Sequence, residues 1–98
     1  MKSILQTDTD HCFLCGMNRN LEPLDKHHIF GGPYRNKSEQ YGLFVFLHHC
    51  RCHIFGEDSA HKNVEISNEL KRAAQIAAMK KYGLSIPEFI DLFGKNYL

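Results

Sequence analysis

Cys12 and Cys15 are separated by two residues, and Gly16 follows directly, so the chain can fold a tight knuckle offering two thiolates to one tetrahedral ion. Such an ion needs two further ligands. The stretch Leu47-His48-His49-Cys50-Arg51-Cys52-His53 supplies them, since Cys52 with either His48 or His49 completes a Cys₃His set. A second two-residue gap favours His49 with Cys52, and His48 or Cys50 can replace one of them. The 98 residues include 7 His and 4 Cys, mostly in three bursts, and in a reducing compartment such clusters read as metal ligands before disulfides. A structural zinc there would tie the knuckle to the end of a strand, the cross-link that so small a core needs. The plain alternative is a pair of buried free cysteines beside unrelated surface histidines.

The elements that must hold these residues can be read from patterning. Residues 24–30 look like a short strand, stopped by Gly31-Gly32-Pro33. The polar run that follows, 34–42, reads as an ordered surface loop, and residues 43–47 form a second, β-branched and aromatic strand able to pair with the first. A short helix is expected to begin near Arg51, followed by a turn at Gly56-Glu57-Asp58-Ser59. Asn63 can cap a long helix in which Ile66, Leu70, Ala73 and Ala77 recur at three- and four-residue steps until Gly83 ends it. Ser85 and Glu88 have the capping-box spacing, so a last short helix should carry Phe89, Ile90, Leu92 and Phe93. The expected class is α+β, one domain over residues 1–98: a zinc knuckle and strand core over about 10–63, then packing helices over about 64–98.

Composition sets outer limits. Hydrophobic residues at 43% and charged residues at 23% are ordinary for a globular protein and argue against disorder. The apolar runs are too short to span a bilayer, and the polar N-terminus lacks the apolar core of a secretory signal, so a cytoplasmic location is expected and no membrane partner. A formal net charge of +1 provides no overall attraction to nucleic acid, so local clusters must supply it.

The most informative stretch is Asp25-Lys26-His27-His28-Ile29-Phe30. Taken with the CxxC knuckle before it, the second strand, and the Cys/His-rich helix start after it, this order resembles the HNH nucleases, whose core is a β-hairpin and helix gripping one metal, the ββα-metal fold. The resemblance covers about residues 12–63. The C-terminal helices look similar to those of small phage or prophage HNH proteins akin to the phage recombination-enhancement nuclease. Carried over, the resemblance implies a metal ligand at His27, the general base at His28, a second ligand at His53 directly after Cys52, and a third at His61. His27 stands where many HNH enzymes carry Asp, which makes the site all-nitrogen, as in the bacteriocin nucleases. The asparagine of the family's middle letter has no clear counterpart in Asn36 or Asn63.

Two physical conditions follow. Eight residues of straight helix would hold His53 and His61 roughly 12 Å apart at about 1.5 Å per residue, so the helix must break between them. His27 and His28, as strand neighbours, point to opposite faces, so a bend before Gly31-Gly32 is needed to bring both to one phosphate. The chemistry implied is hydrolysis of a DNA phosphodiester to 5′-phosphate and 3′-hydroxyl ends. A divalent cation (Mn, Ni, Zn, Co or Mg) would neutralise developing charge, and an imidazole with pKa near 6.5 would take the water proton. Arg35, Lys37 and Arg51 are candidates to grip phosphates, and Asp25 to orient a ligand histidine from behind, though all four residues are of types that are commonly plain surface. His11 reads as surface.

The rival to an endonuclease is a non-catalytic, zinc-stabilised nucleic-acid- or protein-binding module of the same fold. A thiol redox protein would need a helix start after the first cysteine in a βαβ setting, which the pattern lacks. Oligomeric state and any recruiting protein partner are not encoded in a legible way.

Overall fold

In a computed structural model, which describes residues 2–54 and 60–98, the chain is a small α+β protein with a two-stranded antiparallel sheet and helices. Strand β1, Leu24–His28, pairs with β2, Phe44–His48, in a register that sets His27 opposite Val45 and His28 opposite Phe44. Phe44, Val45 and Leu47 are buried, as the apolar run requires. Alternation along β1 separates two groups: Asp25 and His27 point to one face, whereas Lys26 and His28 lie on the other with the Phe44 ring.

A two-stranded sheet leaves edges to satisfy, and the N-terminal segment covers one of them. Gln6 Oε1 accepts from Phe46 N–H at 2.8 Å, and Phe13 N–H donates to the Phe46 carbonyl at 2.9 Å. The second of these bonds fastens the cysteine knuckle onto β2. The knuckle itself closes through Gly16 N–H to the Cys12 carbonyl at 2.9 Å, with Gly16 at φ 74°, where a side chain would be strained.

The run expected as a surface loop is instead helical: a 3₁₀ turn, Gly32–Tyr34, leads into helix α1, Arg35–Gln40. Pro33 suits a first helical turn, and no breaker follows until Gly42. The buried anchor of this polar helix is Ser38, whose hydroxyl donates to the Leu43 carbonyl and accepts from Phe30 N–H. A buried serine inside a hydrophilic run has no signature in composition.

After β2 the chain enters a π-helical turn, His49–Ile54, two residues before the expected helix start at Arg51. The expected turn at residues 56–59 lies outside the described residues. Helix α2, Val64–Tyr82, begins as expected, with Asn63 Oδ1 accepting from Glu65 and Ile66 N–H, and ends at Gly83 in the left-handed conformation. Its buried stripe is Leu70, Ala74, Gln75 and Ala78, whereas Ala73 and Ala77 of the expected stripe are only half-buried flanks. The stripe is rotated because Gln75 is buried, tied to Asn96 Oδ1 and Tyr97 N–H, a polar pin that a hydrophobic pattern overlooks.

Helix α3, Ile86–Phe93, starts with the Ser85/Glu88 capping box and buries Phe89 and Phe93, while Ile90 is exposed and Leu92 half-buried. Phe30 joins these helices to the hairpin, its ring 4.7 Å from that of Phe93 and 5.7 Å from that of Phe89. The residues just before it, His27 and His28, are therefore carried on a strand whose end is locked into the aromatic core. Among the described residues no helix is long and apolar enough to cross a membrane.

Candidate metal centres

The first centre is built from the knuckle, the end of β2 and the π-helical turn. Cys12, Cys15, His48 and Cys52 each bring one ligand atom within 4.8 Å of the others, a set that can hold a metal such as zinc. His48, not His49, completes it. The two-residue gap favours His49, but His48 is the last residue of β2, two beyond Phe46, and is fully buried beside the knuckle that Phe46 holds. Its Nε2 lies 3.0 Å from the Asn18 carbonyl, which can only accept, so Nε2 carries the proton and Nδ1, 3.2 Å from Cys15 Sγ, keeps its lone pair. His49 turns away, its Nδ1 on Asp25 Oδ2, and Cys50 is exposed.

The thiols are unequal. Burial raises the pKa of Cys12, but backbone N–H groups of Cys15, His48 and Leu14 outweigh it and bring the thiol down to about 7. Cys52 goes the other way, pushed up to about 12 by burial and by Cys12 and Cys15 at its side. Crowded sulfurs that resist holding several negative charges at once are an environment a cation relieves.

The second centre gathers His27, His53 and His61, whose ligand nitrogens also lie within 4.8 Å of one another. His27 is buried near the C-terminal end of β1, its ring centroid 5.0 Å from that of His53 and 5.3 Å from that of His61. His53 and His61 bring their Nε2 atoms to 3.1 Å. Two bonds of about 2.0–2.1 Å to a tetrahedral ion would hold two such nitrogens roughly 3.3 Å apart, so the donor set fits one cation. His53 and His61 are not held apart as a straight helix would hold them: Ala60 N–H donates to the Cys52 carbonyl and His61 N–H to the His53 carbonyl.

Asp25 stands behind this centre as the sequence suggested. Its Oδ2 is 3.0 Å from His53 Nδ1, which fixes the proton there and turns the Nε2 lone pair toward His61 and His27. Burial raises the Asp25 carboxyl, but bonds to His49 and His53 hold it below its ordinary value. His27 is pushed down to about 3, first by burial and then by the neighbouring His53, His61, His28 and Lys71. His61 is lowered by the same two causes, burial and His53. Both imidazoles are therefore neutral at pH 7, the form that donates a lone pair.

His28 lies on the opposite face of β1, yet it reaches the same opening. A cleft of roughly 300 Å³ at the strand's end is lined by His27, His28, His53 and His61 together with Lys26, Arg35 and the Gly31–Gly32 backbone. His28 Nε2 is 2.9 Å from Glu39 Oε1, and Lys26 Nζ is 3.1 Å from the same oxygen. Those two partners, His28 first, hold the Glu39 carboxyl below its usual range. An ionised carboxylate only accepts, so the ring proton sits on Nε2 and Nδ1 is left able to take another.

Of the cations expected to grip phosphates, only Arg35 lines the cleft. Lys37 is spent on the Leu92 carbonyl at the end of α3, and Arg51 is held by its backbone N–H on Glu22 at the outside of the π-helical turn. Lys26 and Glu39 were not singled out from sequence, although Lys26 shares a strand face with His28 by simple alternation. Glu39 had no such signal, because it depends on the polar run being a helix. Asn63 is occupied in capping α2, and His11 sits at the surface paired with Asp8. A larger cavity, lined by Lys2, Ile4, Ala77 and Lys80 among others, contains none of the histidines or cysteines. Comparison of the chain with protein-family models, with curated proteins and with solved structures gave no match.

Proposed function

We propose that this protein is a divalent-metal-dependent endonuclease of the HNH kind that hydrolyses DNA phosphodiester bonds, with the cysteine centre serving as a structural zinc site. The observation that carries the reading is one cleft in which three imidazole donors face one another while a fourth imidazole, His28, stands beside them with its tautomer set by Glu39. The hairpin, the turn bearing Cys52 and His53, and helix α2 after it are consistent with a ββα-metal arrangement.

A cation held by His27, His53 and His61 would supply charge neutralisation to the phosphodiester and its leaving oxygen. The protein's own groups do the rest. His28 Nδ1 accepts a proton from water as the water oxygen bonds to phosphorus, and the bond to the 3′ oxygen breaks, that oxygen taking a proton from solvent, to give 5′-phosphate and 3′-hydroxyl ends. Glu39 stabilises the imidazolium that forms, as an ionised carboxylate on the far ring nitrogen. Arg35 and Lys26 at the rim bind phosphate oxygens and place the strand, a local attraction that the net charge of +1 does not itself provide.

Plasmid nicking with added Mn²⁺, Ni²⁺ or Mg²⁺ tests this. Wild type is expected to cut, and His28→Ala to cut about 10²–10⁴-fold more slowly with unchanged metal content, the usual worth of a positioned acid–base group. A wild type inert with all three ions favours the non-catalytic module instead, and full activity in His28→Ala removes His28 from the role of base.

A further inference from the structure

The His53 ring belongs to two constellations. One nitrogen, Nε2, faces His61 at 3.1 Å, and the other, Nδ1, faces Asp25 Oδ2 at 3.0 Å on the far side. His49 brings its own Nδ1 to that same carboxylate oxygen, and the three ligand atoms of Asp25, His49 and His53 lie within 4.8 Å of one another. We propose that Asp25, His49 and His53 form a third cation site, adjoining the histidine triad and sharing the His53 ring with it, that takes a divalent transition metal such as zinc, cobalt or nickel.

The fold builds this site as deliberately as the first. The β1–β2 register sets Asp25 opposite Leu47, and the chain leaving β2 is pinned where His49 N–H donates to the Pro23 carbonyl at 3.0 Å. From there the π-helical turn carries His49 and His53 over Asp25. Two imidazoles and a carboxylate are a donor set that zinc takes readily, with the remaining positions open to water, whereas Mg²⁺ and Ca²⁺ ask for mostly oxygen ligands. Access is adequate, since the side chains of His49 and Asp25 are 46% and 32% exposed. On binding, His49 moves its ring proton from Nδ1 to Nε2, His53 gives up its Nδ1 proton, to its own Nε2 where that nitrogen is free and to solvent where Nε2 holds the triad's ion, and Asp25 changes from hydrogen-bond acceptor to ligand. With the triad also occupied, His53 then bridges two ions as an imidazolate. The site needs no nuclease activity, but a count of three zincs rests on the triad and the cysteine centre each holding one.

The test is zinc stoichiometry by equilibrium dialysis and elemental analysis of the full chain, paired with ¹⁵N NMR of the histidine rings. Wild type is expected to bind three equivalents and His49→Ala two, with the Nδ1 resonances of His49 and His53 shifting together as the third zinc enters wild type. Saturation at two equivalents in wild type, a third zinc kept in His49→Ala, or a His49 shift that leaves His53 unmoved would each overturn the shared site.

Discussion

His48 and His49 are adjacent and chemically identical, yet one faces a cysteine cluster and the other a carboxylate, which makes them a clean test of the site. His48→Ala is expected to lose the cysteine-bound metal and much of the fold's stability, because it removes a fully buried member of a four-ligand set. His49→Ala should keep that metal and its melting temperature. Zinc counting with thermal melts on both variants checks the pair, and loss of the cysteine-bound zinc in His49→Ala would reverse the assignment. Asp25 acts on the triad through the His53 ring. Asp25→Ala is expected to weaken metal binding at the triad by about 10–100-fold, the usual effect of removing a carboxylate behind a ligand histidine, while His28 and the knuckle are undisturbed. Competition with a chromophoric chelator reads this, and an unchanged affinity would show that the Asp25 contact does not orient the ligand.

At the scale of elements, the two C-terminal helices owe their boundaries to local caps and their function to what they brace. Ser85→Ala deletes the capping hydroxyl that accepts from Glu88 N–H, and is expected to cost about 0.5–2 kcal/mol by chemical denaturation with metal content unchanged. A change in metal content instead would mean that α3 reaches the centres more directly than the aromatic contacts suggest. Those contacts run from Phe89 and Phe93 to Phe30, two residues beyond His28. The strand carrying the histidines is thus held at one end by this cluster and at the other by its pairing with His48, beside the cysteine centre. Helix α1 is the third brace, since it alone positions Glu39 against His28 and Arg35 at the cleft rim.

At the scale of the molecule, 98 residues bury a modest core, and a metal in the cysteine centre would join segments that no disulfide connects among the described residues. Structural zinc sites in small domains carry apparent binding free energies of about 10–16 kcal/mol, comparable with the whole stability of such a fold. A strong chelator is therefore expected to abolish the cooperative melt and most of the circular dichroism signal, and added zinc to restore both. An unaltered melt after complete metal removal would show that the aromatic and aliphatic core suffices alone.

The sequence by itself determined what depends on neighbours in the chain: the cysteine knuckle closed by Gly16, the Asn63 and Ser85 caps, the stops at Gly83 and after the first strand, and the two strands. These are local because each is a backbone preference or a hydrogen bond spanning a few residues. It also brought out His27, His28, His53 and His61, which the tertiary structure then places around one cleft. Only the tertiary structure decided between His48 and His49, since that choice follows from where β2 ends and not from spacing. Burial of Ser38 and Gln75, which converts an apparent loop into a helix and turns the buried stripe of α2, is likewise a property of distant partners. The same holds for Glu39 against His28 and for Asp25 between His49 and His53. These pairings bridge 11 to 28 positions in the sequence, where residue type alone says nothing about who meets whom.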